Sequence, residues 1–223
     1  MPMIRLLTVA VLASGLTGCS DIGVPARPTP YESRLFIPFD DNGTPAIDSL
    51  RFRWPSANML VKYWVQDSLS APVHMRTAIT TWKEAFLYGE FDATIIADSN
   101  AADVIVRVMQ APPKPVRHQL RFRTVRPECE GATDIDTVST RRELSIPVRV
   151  YLNPRLINDP NLGLCFDITA THEMGHSIGL FQHTTDPLDI MNTYPVASEL
   201  SDRDISTIEA LYHRRSDMVP IRP

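Results

Sequence analysis

The sequence predicts an α+β domain in which helices pack on one twisted sheet. Three observations lead there. A β-prone run at 59–65 is followed at once by an amphipathic helical pattern, more β-prone runs come after it, and two helical patterns close the chain. With 223 residues, 43% of them hydrophobic, the chain has enough apolar material for one sizeable core. The formal charge is −4, and Arg121, Arg123, Arg126 and the pair Arg141–Arg142 are interspersed with acidic residues. They read as solvated strand and loop residues, so nucleic acid is not an expected partner.

Residues 1–18 read as an export signal rather than part of the fold. Arg5 gives a positive start, and the apolar run Leu6 to Leu16 is too short to span a bilayer. It ends in Leu16–Thr17–Gly18–Cys19, which resembles the lipobox of bacterial lipoproteins, where the cysteine is acylated and becomes the first residue. Several acyl chains at Cys19 would give stable membrane anchoring. Ser20 favours the outer membrane as destination, with Asp21 one place beyond the position that favours retention. The expected location is therefore the bacterial cell envelope.

Residues 19–53 read as a lipidated tether and proline-rich arm. Pro25, Pro28, Pro30, Pro38 and Pro45 interrupt helix, and Asp40–Asp41–Asn42–Gly43 reads as a turn. The main folded domain is expected over 54–223. Met59–Val65 predicts a strand, and Pro72–Tyr88 an amphipathic helix with Pro72 in its first turn. Phe91–Ala97 and Val104–Met109 predict two more strands. Residues 118–152 hold two or three, of which Val148–Leu152 is the clearest, with no readable register.

An oxidising compartment permits a disulfide between Cys129 and Cys165; buried free thiols, or Cys165 as a metal ligand, are the alternatives. Asp167 is placed to cap a helix over Ile168–Ile178, with Gly179 as its left-handed stop. On that helix His172 and His176 are four apart, so both imidazoles leave one face. Such a pair holds zinc through two nitrogens, and Glu173 is placed to take a proton from a zinc-held water. Ala170, Met174 and Ile178 make the helix mostly buried, where polar side chains need a purpose. A catalytic zinc needs a third protein ligand, and His183, beyond the turn at Gly179, is the candidate. His74, His118 and His213 are isolated and read as ordinary surface or core residues.

The segment His172-Glu173-Met174-Gly175-His176-Ser177-Ile178-Gly179-Leu180-Phe181-Gln182-His183 resembles the signature of the metzincin metalloproteases, within them the matrixin-like group. One residue more than in the usual pattern separates the glycine from the last histidine, and Asp186 is the fallback ligand. Asp189–Ile190–Met191–Asn192 resembles the family's Met-turn, in which the methionine packs beneath the metal site. The stretch from Leu200 to Tyr212 resembles the family's C-terminal helix, with Ser201 as its cap and Ile205, Ile208 and Leu211 at helical spacing.

The resemblance implies a twisted, mostly parallel sheet with an active-site helix and a C-terminal helix. It implies one catalytic Zn2+ and hydrolysis of peptide bonds in protein or peptide substrates, through a zinc-bound water activated by Glu173. Substrate is expected to lie extended along an edge strand, paired through its main chain. Tyr194 reads as packing or pocket lining rather than as a catalytic group. Asp134 and Asp136 read as a solvated strand end rather than a calcium site. No cysteine-switch motif is visible, which leaves the proline-rich arm as the segment expected to impose any latency. Two other readings stand beside the protease. One is an inactive zinc-binding envelope lipoprotein serving as a scaffold; the other is a protease with Glu199 as third ligand. A monomer is the default expectation.

Overall fold

The computed structural model describes residues 27–39, 45–55, 60–113, 119–138 and 141–222. The signal segment 1–18, Cys19, the turn at 40–43, Met59 and His118 lie outside the described residues.

The central sheet grows from β-branched and aromatic runs whose alternate side chains are buried. Strand β3 (Val61–Val65) reads buried at Val61, Tyr63 and Val65, the period of two that places one face on a core. β4 (Ala93–Ile95) and β5 (Val104–Arg107) pair with it in parallel on either side. β8 (Glu143–Pro154) continues the parallel set beside β5, and β9 (Val219–Ile221) pairs in parallel with the start of β8. β7 (Cys129–Val138) and β6 (Gln119–Val125) then add on antiparallel, giving the order β4-β3-β5-β8-β7-β6. Four of the six pairings are parallel, as expected, and β6 stands at the edge.

Helix α1 (Ala71–Glu84) buries Ala71, Met75, Ala78, Ile79 and Trp82 and has Pro72 in its first turn. It stops four residues before the expected end. Leu87 and Tyr88 face solvent, while Phe86 turns inward against Phe91 and Tyr212. Helix α2 (Leu162–Ser177) packs between α1 and the sheet and begins six residues earlier than expected. Leu162, Cys165 and Phe166 supply its first buried turn. Asp167 is therefore interior, not a cap, and its Oδ1 meets His74 Nδ1 on α1 at 2.6 Å. Helix α3 (Asp202–Tyr212) has the expected cap at Ser201. Its hydroxyl accepts from the Asp204 N–H while the Asp204 carboxylate accepts from the Ser201 N–H.

The stretch read as a tether and arm is folded where it is described. β1 (Leu35–Phe39) and β2 (Pro45–Leu50) form an antiparallel hairpin, and Leu35, Ile37, Leu50, Phe52 and Trp54 belong to the same core as the helices. The core thus continues upstream of residue 54. Phe52 stacks on Phe181, and the Phe181 N–H donates to the Ser33 carbonyl at 3.1 Å. Nor is Arg121 solvated: its guanidinium lies buried against Asp134, Nε–Oδ1 2.5 Å, on the face of the sheet away from α2.

Candidate metal centre

Helix α2 is enclosed almost all round, with every residue from Ile168 to Ser177 buried. A buried helix end leaves carbonyls that need donors. Trp54 Nε1 donates to the Ser177 carbonyl (3.0 Å) and the Tyr212 hydroxyl to Ile178 (3.2 Å), while Trp82 Nε1 donates to the Thr171 carbonyl (2.8 Å) further inside the helix. Aromatic side chains from α1, α3 and the approach to β3 thereby fix the segment carrying His172, Glu173 and His176. Gly179 ends it at φ +116°, close on the Phe52 carbonyl, where a Cβ would collide.

The chain then returns under the helix. The Leu180 carbonyl accepts from His176 Nδ1, and the Ile190 carbonyl from His172 Nδ1, each at 2.6 Å. A carbonyl can only accept, so both imidazoles carry their proton on Nδ1 and turn the Nε2 lone pair inward. Nε2 of His172, His176 and His183 converge at 3.0, 3.1 and 3.2 Å from one another. Burial lowers the pKa of all three: His172 falls to about 3, with the neighbouring His183 adding to the effect. Neutral imidazoles with lone pairs facing one another at this spacing fit a cation with nitrogen ligands at about 2.0–2.1 Å, the zinc distance. Among the described residues this is the group of histidine, cysteine and acidic side chains that can hold a metal ion. The extra residue is absorbed by Leu180, Phe181 and Gln182, whose amide donates to the Arg34 carbonyl.

Below the cluster Met191 is fully buried, and its sulfur lies where a Cβ on Gly175 would stand. Only glycine at 175 admits it. The Met-turn is itself held by Asp204, whose Oδ2 accepts from the Ile190 N–H at 2.8 Å and whose Oδ1 accepts from the Tyr31 hydroxyl at 2.7 Å. Since Ile190 also carries the carbonyl bound by His172, α3 and residue 31 set the orientation of that imidazole.

Glu173 is fully buried against β7 and β6. Its Oε2 accepts from the Thr133 hydroxyl at 2.6 Å, and Oε1 lies over Gly131, where a Cβ would stand 2.3 Å away. Burial pushes its carboxyl up to about 8, against the downward pull of Thr133 and of Thr124. Thr124 lies close enough to the carboxylate to pull its pKa down, yet neither Glu173 Oε1 nor Thr124 Oγ1, both buried, completes a hydrogen bond of good geometry. A buried carboxyl oxygen without a full hydrogen-bond partner, beside three converging lone pairs, marks a site with unused polar capacity.

The other candidates fall outside this cluster. Asp186 pairs with Arg203, and Glu199 is exposed. Tyr194 is 63% exposed, and its N–H donates to Asn192 Oδ1 at 2.8 Å. Asp134 and Asp136 are engaged by Arg121 and Arg149. Cys129 and Cys165 form the disulfide, joining the start of β7 to α2, so Cys165 is no ligand. Thr133, Gly131, Thr124 and Phe122 escape a reading of the sequence. The approach of the first three to Glu173, and of Phe122 to His176, exists only through the β6–β7–β8 register, and a threonine, glycine or phenylalanine in a strand carries no chemical signature.

A sheet with a buried helix carrying two histidines, a return loop carrying a third, and a methionine turn beneath them define a metalloprotease-type domain. The matrixin family model matches residues 74–213, more than half of the chain. Human matrilysin is 40% identical over 68 residues, covering 28% of this chain and 25% of its own length. Cat matrilysin is 44% identical over 62 residues, covering 25% and 22%. The chain thus spans about a quarter of the length of these relatives. It belongs to the matrixin family.

Proposed function

We propose that the protein is a zinc-dependent metalloendopeptidase, with His172, His176 and His183 as metal ligands and Glu173 as general base. The observation that carries this is the convergence of three Nε2 lone pairs within 3.2 Å beside the unpartnered Glu173 Oε1. Zinc, when bound there, supplies Lewis acidity that polarises a peptide carbonyl and lowers the pKa of water towards about 7. The chain's own residues do the rest. Thr133 anchors Oε2 of Glu173, which aims Oε1 to accept a proton from the attacking water and to pass it to the departing amine. The carbonyls of Ile190 and Leu180 hold the histidine rings in the ligating tautomer. Met191 supports the helix from below. The lipobox-like segment ending at Cys19 supports a lipid-anchored form in the bacterial envelope; the protease reading itself implies extended protein or peptide as substrate.

The complete burial of Glu173 favours a second reading, a zinc-binding scaffold without turnover. Zinc content and casein cleavage, measured on protein from residue 20 onward beside Glu173→Ala, separate the two. One zinc per chain, with cleavage that the substitution lowers by about two to four orders of magnitude, is expected of the enzyme. Zinc without cleavage indicates the scaffold or a latent form, and absence of zinc removes the metal assignment.

A further inference from the structure

We propose that β6 is an internal occupant of the substrate groove: it lies on the edge of β7 where an extended substrate would pair, and it must leave for substrate to bind. The inference rests on the protease reading above. Four observations place β6 there. It pairs antiparallel with β7 along its whole length, from Gln119↔Asp136 to Val125↔Glu130. Its alternate side chains face the site: the Phe122 ring stacks on the His176 imidazole at 4.7 Å and 29°, and Thr124 covers Glu173. On its other side the Val125 N–H donates to the Thr193 carbonyl at 3.2 Å, and Arg126 Nη1 donates to the Pro195 carbonyl. Both carbonyls belong to the loop just after Met191. β6 is therefore hydrogen-bonded between the sheet and that loop, with side chains on a metal-ligand ring and on the general base.

An extended peptide added to a sheet edge makes these same main-chain bonds. While β6 holds them, a substrate strand on its outer edge would stand about 4.8 Å further away, one strand spacing from the groove. Glu173 would then stay sealed under Thr124. Release of β6 exposes the edge of β7, the face of His176 and the Oε1 of Glu173 together. The apparent affinity for substrate is multiplied by the fraction of molecules with β6 released, so one open molecule in about ten weakens it about tenfold.

The test locks and loosens β6. Arg123 and Ala132 are opposed in the register, on the face away from α2. Cross-strand Cα separations of about 4.5–5.5 Å suit a disulfide in an Arg123→Cys/Ala132→Cys variant. A Phe122→Ala/Arg126→Ala variant removes the stack on His176 and the tie to Pro195. Each protein is assayed for zinc and for casein cleavage, with wild type carried through the same oxidation and mild phosphine reduction. We expect the oxidised lock to cut cleavage at least about tenfold with zinc unchanged, and the loosened variant to raise it several-fold. A second readout does not require turnover. In a Glu173→Ala background, casein should speed hydrogen exchange at 119–125 while 129–138 stays protected, and the lock should abolish that change. Cleavage by the oxidised lock within about twofold of its reduced form overturns the inference and leaves the protease reading intact. Zinc without cleavage or a casein-dependent exchange change in any variant overturns both.

Discussion

Glu173 illustrates how one buried position sets a pH response. Its carboxyl, ordinarily near 4.5, is pushed by burial up to about 8, so the folded chain keeps a proton that the unfolded chain releases across that interval. The resulting stability is complete below 4.5 and lost as pH rises through 8. His172, lowered by burial from 6.5 to about 3, acts in the other direction: its contribution is present above 6.5 and lost on acidification. His176 and His183 are lowered too. The metal-free protein should therefore be most stable near pH 6.5 and weaken by about 2 kcal/mol towards pH 8. Urea melts in chelator at pH 5.5, 6.5 and 8 measure this, and Glu173→Gln should remove the alkaline loss. An equal loss in that variant would place the titration elsewhere. Gly175 makes a steric prediction. Alanine there puts a Cβ 2.3 Å from the Met191 sulfur, and such overpacking should cost about 1–3 kcal/mol in a thermal melt. A melt unchanged from wild type would show that Met191 can move aside freely.

At the scale of elements, α2 is held at both ends by contacts remote in sequence. Its C-terminal carbonyls take donors from Trp54 and Tyr212, Trp82 donates to the Thr171 carbonyl in its interior, and its first turn is tied by the Cys129–Cys165 bond to β7. That bond closes a loop of 36 residues containing the β7–β8 connection and all of β8. Replacing both cysteines by serine should lower unfolding free energy by about 3–4 kcal/mol, read from full denaturant curves with the m-value fitted for each protein, since the unbridged unfolded chain is more open. A loss below about 1 kcal/mol would mean that β7 and β8 already order the loop without it. Register explains why β7 and β6 matter to the site. Thr133 and Gly131 meet Glu173 from one strand, Thr124 from the next, and a shift of one residue would turn all three away.

At the scale of the whole molecule, the hairpin β1–β2 is part of the domain rather than a leash. Leu35, Leu50 and Phe52 are buried in the common core, and Phe52 packs on Phe181, two residues before His183. Removing everything before residue 54 should cost most of the roughly 5–15 kcal/mol that stabilises a domain. Losing several large buried side chains at about 2–5 kcal/mol each is enough. Circular dichroism on the trimmed protein would report a non-cooperative melt, with no gain in casein cleavage. A cooperative melt with raised cleavage would instead restore the arm as the source of latency.

Much of the site was legible in the residues themselves. The spacing of His172 and His176 requires a shared helix face, glycine at 179 permits the turn, and Met191 follows in a recognisable setting. Ser201 and Asp204 specify their cap locally. These readings work because the 3.6-residue period and capping chemistry act over a few neighbours. What failed locally was overruled by burial. Asp167 has a good capping side chain, yet Leu162, Cys165 and Phe166 gain more by extending the helix into the core. Prolines around 25–45 argue for a tether, yet Leu35, Leu50 and Phe52 find a hydrophobic partner surface. Tertiary structure alone decided the pairing of β6 with β7, the burial of Glu173 beneath Thr124, and the meeting of His183 with the other two imidazoles. The first two depend on strand register between residues far apart in the chain, and the third on how the short loop after Gly179 returns, none of which a local periodicity encodes.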